Sequence, residues 1–270
     1  MTLLCSDVGS NTSRFVRCKK YLSATAAMVT PSATRKMRNV IIHCFISSKY
    51  TRAYQWVYTG SMKLTKYSHA CLVLEEDGQR LVVDPGNLSD DFEVPANVLA
   101  VVVTHLHPDH CDPAKLQAIL AGSPNAVVYA LAEVAQHAGQ PVTPVLPGDT
   151  AVAGPFALEF VGGEHATIHP DIAAIGNLGL VVNGDLLYYP GDSFSLPPRQ
   201  MRWIATPVAA PWMKLAEAVE FLRQTKPEHA FPTHDAILSS SGKEISDRVA
   251  TNLVEEIDFY RIKSGETIEL

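Results

Sequence analysis

The feature that most restricts the fold of this chain is a six-residue segment that contains four potential metal ligands. They are His105, His107, Asp109 and His110, and they follow the apolar run at residues 99–103. The apolar run predicts a buried strand, and open α/β sheets place their sites at the carboxyl ends of such strands. Imidazole and carboxylate are ligands of borderline-soft divalent metals. The segment therefore predicts a metal-binding loop, with a solvated polar loop as the weaker alternative.

Three further candidate ligands also follow predicted strands. His165 comes after the alternating strand 156–161, Asp192 after the strand 185–189, and His234 after a short strand near residues 228–231. Each of these residues alone is typical of an ordinary polar strand end. Because long stretches of chain separate them, only one folded sheet could bring them to the loop at residues 105–110.

This order of motifs resembles a known family. His-x-His-x-Asp-His, then Gly-x-His, then Gly-Asp and a late His is similar to the metallo-β-lactamase superfamily of metal-dependent hydrolases. Met-Lys-Leu-Thr-Lys-Tyr-Ser-His-Ala-Cys-Leu-Val-Leu-Glu at residues 62–75, with Leu-Val-Val-Asp-Pro-Gly at residues 81–86, resembles the ascorbate-phosphate-lactonase-like branch. The resemblance covers residues 62–270. It implies an α+β fold, a four-layer αββα sandwich with the site at one edge.

The resemblance also implies a ligand set and a cofactor. It assigns His105, His107 and His165 to a first metal, Asp109, His110 and His234 to a second, and Asp192 to a bridge between them. Asp84 would orient a ligand or the metal loop. His69, which we expect in an early strand, would either support the metals in the same way or be a satisfied histidine of the core, the slightly favoured alternative. The cofactors are then two divalent ions, zinc first, with manganese or iron as alternatives.

Two ions of this kind predict hydrolysis of a small ester, lactone or phosphoester by a metal-bridged hydroxide. Asp109 would orient the nucleophile and accept its proton. His169 would contact substrate or donate a proton, unless it is only a loop histidine bonded to backbone. Trp212 and Lys214 would line the substrate pocket, or else anchor a surface loop. A mononuclear iron dioxygenase and a non-catalytic metal-stabilised binding module are the alternative functions.

Charge divides the chain near Met62. Residues 1–61 hold 9 basic residues and one acidic residue, whereas residues 62–270 hold 13 basic and 27 acidic residues. The basic segment is rich in Ser and Thr and has no sustained periodicity, so we interpret it as a disordered or non-native extension with at most a short helix or strand near residues 40–46. An organelle transit peptide is the alternative. The acidic remainder disfavours nucleic acid as a partner, and the expected partner is a small-molecule substrate.

Two further observations concern compartment and partners. No apolar run reaches the roughly 18 residues that a membrane span requires, so we expect no membrane partner. The chain has five cysteines, an odd number without paired spacing, which favours a reducing compartment and a cytoplasmic location. A homo-oligomer is compatible with these observations.

Periodicity and turn signals predict alternating strands and helices from residue 64 onward. Asp112 and Pro113 predict a helix start, and Asn183-Gly184 predicts a hairpin turn. The expected strands are 64–67, 70–75, 80–84, 126–130, 151–161 with a break at 154–155, 178–182, 186–189, 203–208 and 266–270. The expected helices are 114–121, 131–138, 214–224 and 245–260.

Overall fold

The structure is a computed structural model that describes residues 40–47, 51–58 and 60–270. The chain divides after Gly60 into two compact units. In the first unit, strand β1 (Val40–Ser47) pairs antiparallel with strand β2 (Thr51–Tyr58). At most a short helix or strand was expected near residues 40–46, where β1 lies, and β2 was not expected. Most of the expected extension lies outside the described residues.

The second unit contains the remaining described strands and helices. Its strands are β3 (Lys63–Lys66), β4 (Leu72–Glu76), β5 (Gln79–Val83), β6 (Val98–Val102), β7 (Val127–Ala130), β8 (Thr143–Pro144), β9 (Thr150–Ala153), β10 (Phe156–Glu164), β11 (Gly176–Val182), β12 (Leu187–Tyr189), β13 (Trp203–Pro207), β14 (His229–Thr233), β15 (Asp258–Phe259) and β16 (Glu266–Glu269). Its helices are α1 (Pro113–Gly122), α2 (Val134–Ala138), α3 (Leu215–Thr225) and α4 (Ser240–Leu253).

These strands form two mixed sheets of seven strands each. The first sheet has the order β16-β3-β4-β5-β6-β7-β8, and the second has the order β15-β14-β13-β12-β11-β10-β9. Strands β5 to β8 are parallel, as are β12 to β15, and the remaining pairs are antiparallel. The expected hairpin is present, since β11 pairs antiparallel with β12. Two sheets accompanied by helices form the predicted α+β sandwich.

The helices begin where local sequence signals place them. Helix α1 starts at Pro113, and the Asp112 side chain caps it by accepting a hydrogen bond from the Ala114 amide. Helix α3 buries an apolar face that includes Val219 and Leu222, as its spacing predicted. Both residues belong to a core cluster shared with β13 and α4.

The prediction for the last helix was wrong at both ends. We expected it at residues 245–260, but α4 begins at Ser240 and ends at Leu253. The chain beyond it forms the short strand β15. The large apolar residues spaced four apart from Ile245 onward, which favoured a helix over this range, are not its buried face, since Ile245 is 51% exposed. Instead the small side chains of Ser246 and Ala250 are buried, which lets the helix approach the core closely. Among the described helices, none is long and apolar enough to cross a bilayer.

Candidate metal centre

Four loops that each follow a strand carry the expected ligands to one place. The loop at residues 105–110 follows β6, His165 follows β10, Asp192 follows β12 and His234 follows β14. Since β6 lies in one sheet and the other three strands in the second, the site draws on the ends of both sheets.

Within the described part of the chain, the candidate ligand atoms form two groups, each with all its atoms within 4.8 Å of one another. The first ligand group is His105, His107, His165 and Asp192. The second ligand group is His69, Asp109, His110 and His234. All seven expected ligands are therefore brought together, and His69 is an additional member.

Asp192 contacts both groups. Its Oδ2 lies 3.4 Å from His165 Nε2 in the first group and 3.1 Å from His234 Nε2 in the second. Its Oδ1 lies 3.2 Å from His110 Nε2. A carboxylate in this position is geometrically suited to bridge two cations.

The spacing of the donor atoms fits metal coordination. Two ligands each about 2.0–2.1 Å from a tetrahedral ion are about 3.3–3.4 Å apart. His105 Nε2 and His107 Nδ1 are 3.1 Å apart, and His234 Nε2 and Asp109 Oδ2 are 3.4 Å apart. These separations agree with ligand-to-ligand distances around shared ions.

The histidine tautomers also fit a cation. His165 Nδ1 donates to the Ala166 carbonyl at 2.6 Å, and His234 Nδ1 donates to the Ala209 carbonyl at 2.5 Å. Because a carbonyl oxygen only accepts, the Nε2 atom of each neutral ring carries a lone pair aimed into the site. These Nε2 atoms and Asp192 Oδ1 are buried without a hydrogen-bond partner. Lone pairs so close together need a positive charge between them, so the residues fit divalent metal ions.

In the absence of a metal ion, protons on the histidines supply the positive charge between these lone pairs. Burial lowers the pKa of His234, but Asp109 and Asp192 raise it to a net value of about 9. Burial likewise opposes protonation of His110, yet Asp192 and Asp84 hold its pKa well above the usual value. The same carboxylates would favour metal ions in place of these protons.

Asp84 supports one ligand in each group. Its Oδ2 accepts hydrogen bonds from His110 Nδ1 at 2.7 Å and from the Thr104 hydroxyl at 2.7 Å, and its Oδ1 accepts from the Thr104 amide at 2.8 Å. Since the Thr104 hydroxyl proton points to Asp84, its oxygen accepts from His105 Nδ1 at 3.0 Å. Both rings therefore present Nε2 to the site.

Asp192 is held by Asn177 and Trp212. Asn177 Oδ1 accepts from the Asp192 amide at 2.9 Å, and its Nδ2 donates to the Pro190 carbonyl at 2.8 Å. Trp212 Nε1 donates to Asp192 Oδ2 at 2.9 Å, and its ring packs edge-on against Phe194. The sequence singled out Trp212 only as a pocket residue and missed Asn177, whose one available signal was an amide in an apolar strand.

The turn at residues 84–86 lies directly against the metal loop. A Cβ at Gly86 would lie 1.7 Å from the Asp109 carbonyl oxygen, so only glycine fits there. Asp84 and His234 both have positive φ angles, of 47° and 56°. Such conformations are strained in residues other than glycine and persist only where surrounding contacts hold them. Here the side-chain hydrogen bonds of Asp84 and His234 hold both residues in place.

Three predicted residues lie in places that the sequence did not specify. His69 lies in the turn between β3 and β4, so its expected place in a strand was wrong. His169 lies on the loop after His165, where its side chain is 61% exposed. Its Nδ1 accepts a hydrogen bond from the Asp171 amide at 3.1 Å, which is the backbone contact of the alternative interpretation. Lys214 caps α3, since its amide donates to Glu217 Oε2 at 2.6 Å. The last two are not members of either ligand group.

Comparison with known proteins agrees with this geometry. The beta-lactamase superfamily domain matches residues 63–234. Protein Rv0786c of Mycobacterium tuberculosis is 39% identical over 188 residues, which cover 68% of this chain and 89% of that protein. A UPF0173 metal-dependent hydrolase of Flavobacterium johnsoniae is 28% identical over 144 residues, or 49% of this chain and 62% of that one.

A solved structure shows the same fold. The metallo-beta-lactamase fold protein YhfI from Bacillus subtilis superimposes with a TM-score of 0.61 at 18% identity, covering 78% of this chain and 100% of that chain. The predicted α+β sandwich of this fold is thereby confirmed.

Proposed function

The chain belongs to the beta-lactamase superfamily of metal-dependent hydrolases, and we propose that it uses a pair of divalent ions to hydrolyse a small ester, lactone or phosphoester. The observation that carries the proposal is Asp192, which contacts ligands of both groups at 3.1–3.4 Å. A bridging carboxylate is useful where two cations lie side by side. The UPF0173 relative, a metal-dependent hydrolase, supports the same reaction class.

The two groups would divide the ions as the donor atoms suggest. His105, His107 and His165 would hold the first ion, Asp109, His110 and His234 the second, and Asp192 both. Nitrogen and carboxylate donors suit zinc first, with manganese and iron as alternatives, because first-row divalent metals share these ligands. When bound, such ions lower the pKa of water toward neutrality and stabilise the negative charge that develops on the substrate.

Asp109 marks the side from which water and substrate approach. Its side chain is 25% exposed, whereas that of Asp192 is 4% exposed. Burial raises the pKa of Asp109, but the neighbouring imidazoles of His234 and His69 hold it well below its usual value. Asp109 is therefore ionised at physiological pH, and its carboxylate can accept a hydrogen bond from the attacking water and orient it.

Three residues would contact the substrate. Trp212 lies beside Asp192 and packs edge-on against His165, with ring centroids 6.2 Å apart, so it would form one wall. Lys214 follows it on the same loop and would pair with an anionic group. His169 lies on the loop that carries His165 and would donate a proton to the leaving group. The cytoplasm is the proposed compartment, supported by the odd cysteine number.

Metal analysis combined with a substrate panel tests the proposal. The purified protein should contain two divalent ions per chain, lose ester, lactone or phosphoester turnover on chelation, and regain it when metal is restored. His105→Ala should remove metal and turnover, whereas His229→Ala should retain both, because His229 pairs with Asp258 outside the ligand groups. One iron per chain with oxygen consumption would favour the dioxygenase alternative. Bound metal without turnover on the whole panel would favour a binding module.

A further inference from the structure

His69 lies close enough to the metal centre to play either of two roles. It is fully buried, has a φ of 65° and belongs by distance to the second ligand group. Its Nε2 lies 3.0 Å from Asp109 Oδ2. At this distance it could be a fifth protein ligand of the second ion, or it could donate a hydrogen bond to a carboxylate that is itself the ligand.

The contacts of the other ring nitrogen decide between these roles. His69 Nδ1 lies 3.3 Å from the amide nitrogen of Ala236. A backbone N–H can only donate, so Nδ1 is the acceptor and carries the lone pair. Because Nδ1 accepts and therefore carries no proton, the ring is a neutral imidazole. The single proton of a neutral ring must then be on Nε2, which points it at Asp109 and leaves no lone pair there for a metal.

The backbone of the same residue holds a second ligand. The His69 carbonyl accepts a hydrogen bond from the His234 amide at 3.0 Å. His234 has a positive φ of 56°, a conformation that requires support from its surroundings. One turn of the first sheet therefore fixes a carboxylate on the metal loop through its ring and a histidine on the second sheet through its carbonyl.

We propose that His69 is a positioning residue for the second metal and not one of its ligands. Its Nε2–H holds Asp109 Oδ2 at 3.4 Å from His234 Nε2, within the distance that two ligands of one ion require. A carboxylate oxygen has two lone pairs, so it can accept this hydrogen bond and still bind a cation. The inference rests on the proposed two-metal function. It leaves the second ion with three ligands besides Asp192, namely Asp109, His110 and His234.

Two substitutions separate the donor role from a structural role. His69→Gln places an amide N–H near the former Nε2 position and keeps the donor to Asp109. His69→Asn reaches only the former Nδ1 position, where its oxygen can still accept from the Ala236 amide, and asparagine tolerates a positive φ. The Asn variant thus loses the donor while it keeps the turn.

Cobalt(II) titration of the full-length metal-free protein, followed by visible spectroscopy, measures both sites without relying on turnover. We expect His69→Asn to weaken the second cobalt by about 10–100-fold, the usual effect of losing a partner of a metal ligand, and to leave the first unchanged. His69→Gln should restore the second-site affinity to within about threefold of wild type by keeping this partner, with an unchanged cobalt spectrum.

Three outcomes would overturn the inference. Equal weakening in both folded variants with an altered cobalt spectrum would show that His69 is a ligand. Wild-type affinity in the Asn variant would show that the donor is not needed. Should the Asn variant fail to fold, loss of the second cobalt from the folded Gln variant would by itself overturn the inference. A wild-type protein that binds fewer than two cobalt ions would instead refute the proposed two-metal function.

Discussion

Asp84→Asn is the perturbation that should reveal most about how the site is assembled. Asp84 is fully buried and accepts three hydrogen bonds, two from Thr104 and one from His110 Nδ1. Asparagine has nearly the same shape and tolerates the positive φ of 47° at this position. Its amide, however, replaces one acceptor oxygen by an NH₂ group. In place of Oδ1 this group removes the acceptor of one hydrogen bond, and in place of Oδ2 it removes the acceptor of two.

The magnitude follows from the lost bond. A buried hydrogen bond to a charged group contributes about 1.5–3 kcal/mol to stability. For a unit of this size each kcal/mol corresponds to about 2–4 °C, so each lost hydrogen bond should lower the melting temperature by about 3–12 °C. If the NH₂ group faces His110, that ring must take its proton on Nε2, which removes the lone pair required by a metal. Second-site affinity should then fall by about 10–100-fold.

Thermal melts of the chelated protein and metal titration by calorimetry measure the two effects separately. Asp171→Asn is the matched control, because the Asp171 side chain is 90% exposed and lies outside both ligand groups, and it should behave as wild type in both assays. Asp84→Asn could instead melt within 2 °C of wild type and bind metal with a dissociation constant within about twofold of the wild-type value, which is no resolvable change in free energy. In that case Asp84 does not orient the ligands.

Four further substitutions or truncations have defined outcomes. Asp192→Ala should abolish turnover and lower metal content below two ions per chain, with an unchanged circular dichroism spectrum; wild-type turnover would refute the bridge. Gly86→Ala should destabilise the protein by about 1–3 kcal/mol in chemical denaturation, whereas Gly122→Ala, with no atom within 4 Å of the added Cβ, should not. Trp212→Phe should weaken metal binding about fivefold by calorimetry, since it loses a hydrogen bond of about 1 kcal/mol; unchanged affinity would refute the contact. A chain beginning at Met62 should match the full chain in metal content and melting temperature, and a drop of more than about 5 °C, or roughly 1–2 kcal/mol, would show that residues 1–61 stabilise the fold.

The strand-end ligands could be predicted from sequence because their positions depend on local pattern. An apolar run such as residues 99–103 indicates a buried strand, and the chain must leave the sheet where that run ends. The residues directly after it are then fixed at a sheet edge. Four ligands satisfy this condition, namely His105, His165, Asp192 and His234. Their separation along the chain was not needed to place them at a sheet edge.

The supporting residues could not be predicted from local pattern, because their contacts join loops that are distant in sequence; the orienting roles of Asp84 and His69 were expected only from the motifs of the family. Trp212 reaches Asp192 only because the loop after β13 folds over the loop after β12. His69 required a positive φ in a turn that its apolar neighbours made look like a strand. The prediction for helix α4 failed for a related reason. Periodicity locates large apolar side chains, whereas in this helix small side chains such as Ala250 face the core.

These two classes of residue have different physical tasks. The ligands supply lone pairs, and their type can be recognised because few side chains offer them. The supporting residues decide where those lone pairs point: Asp84 and backbone carbonyls keep the protons of His110, His165 and His234 on Nδ1. Since a ring with its proton on Nε2 cannot bind a metal through that atom, the metal centre depends as much on these acceptors as on the ligands themselves.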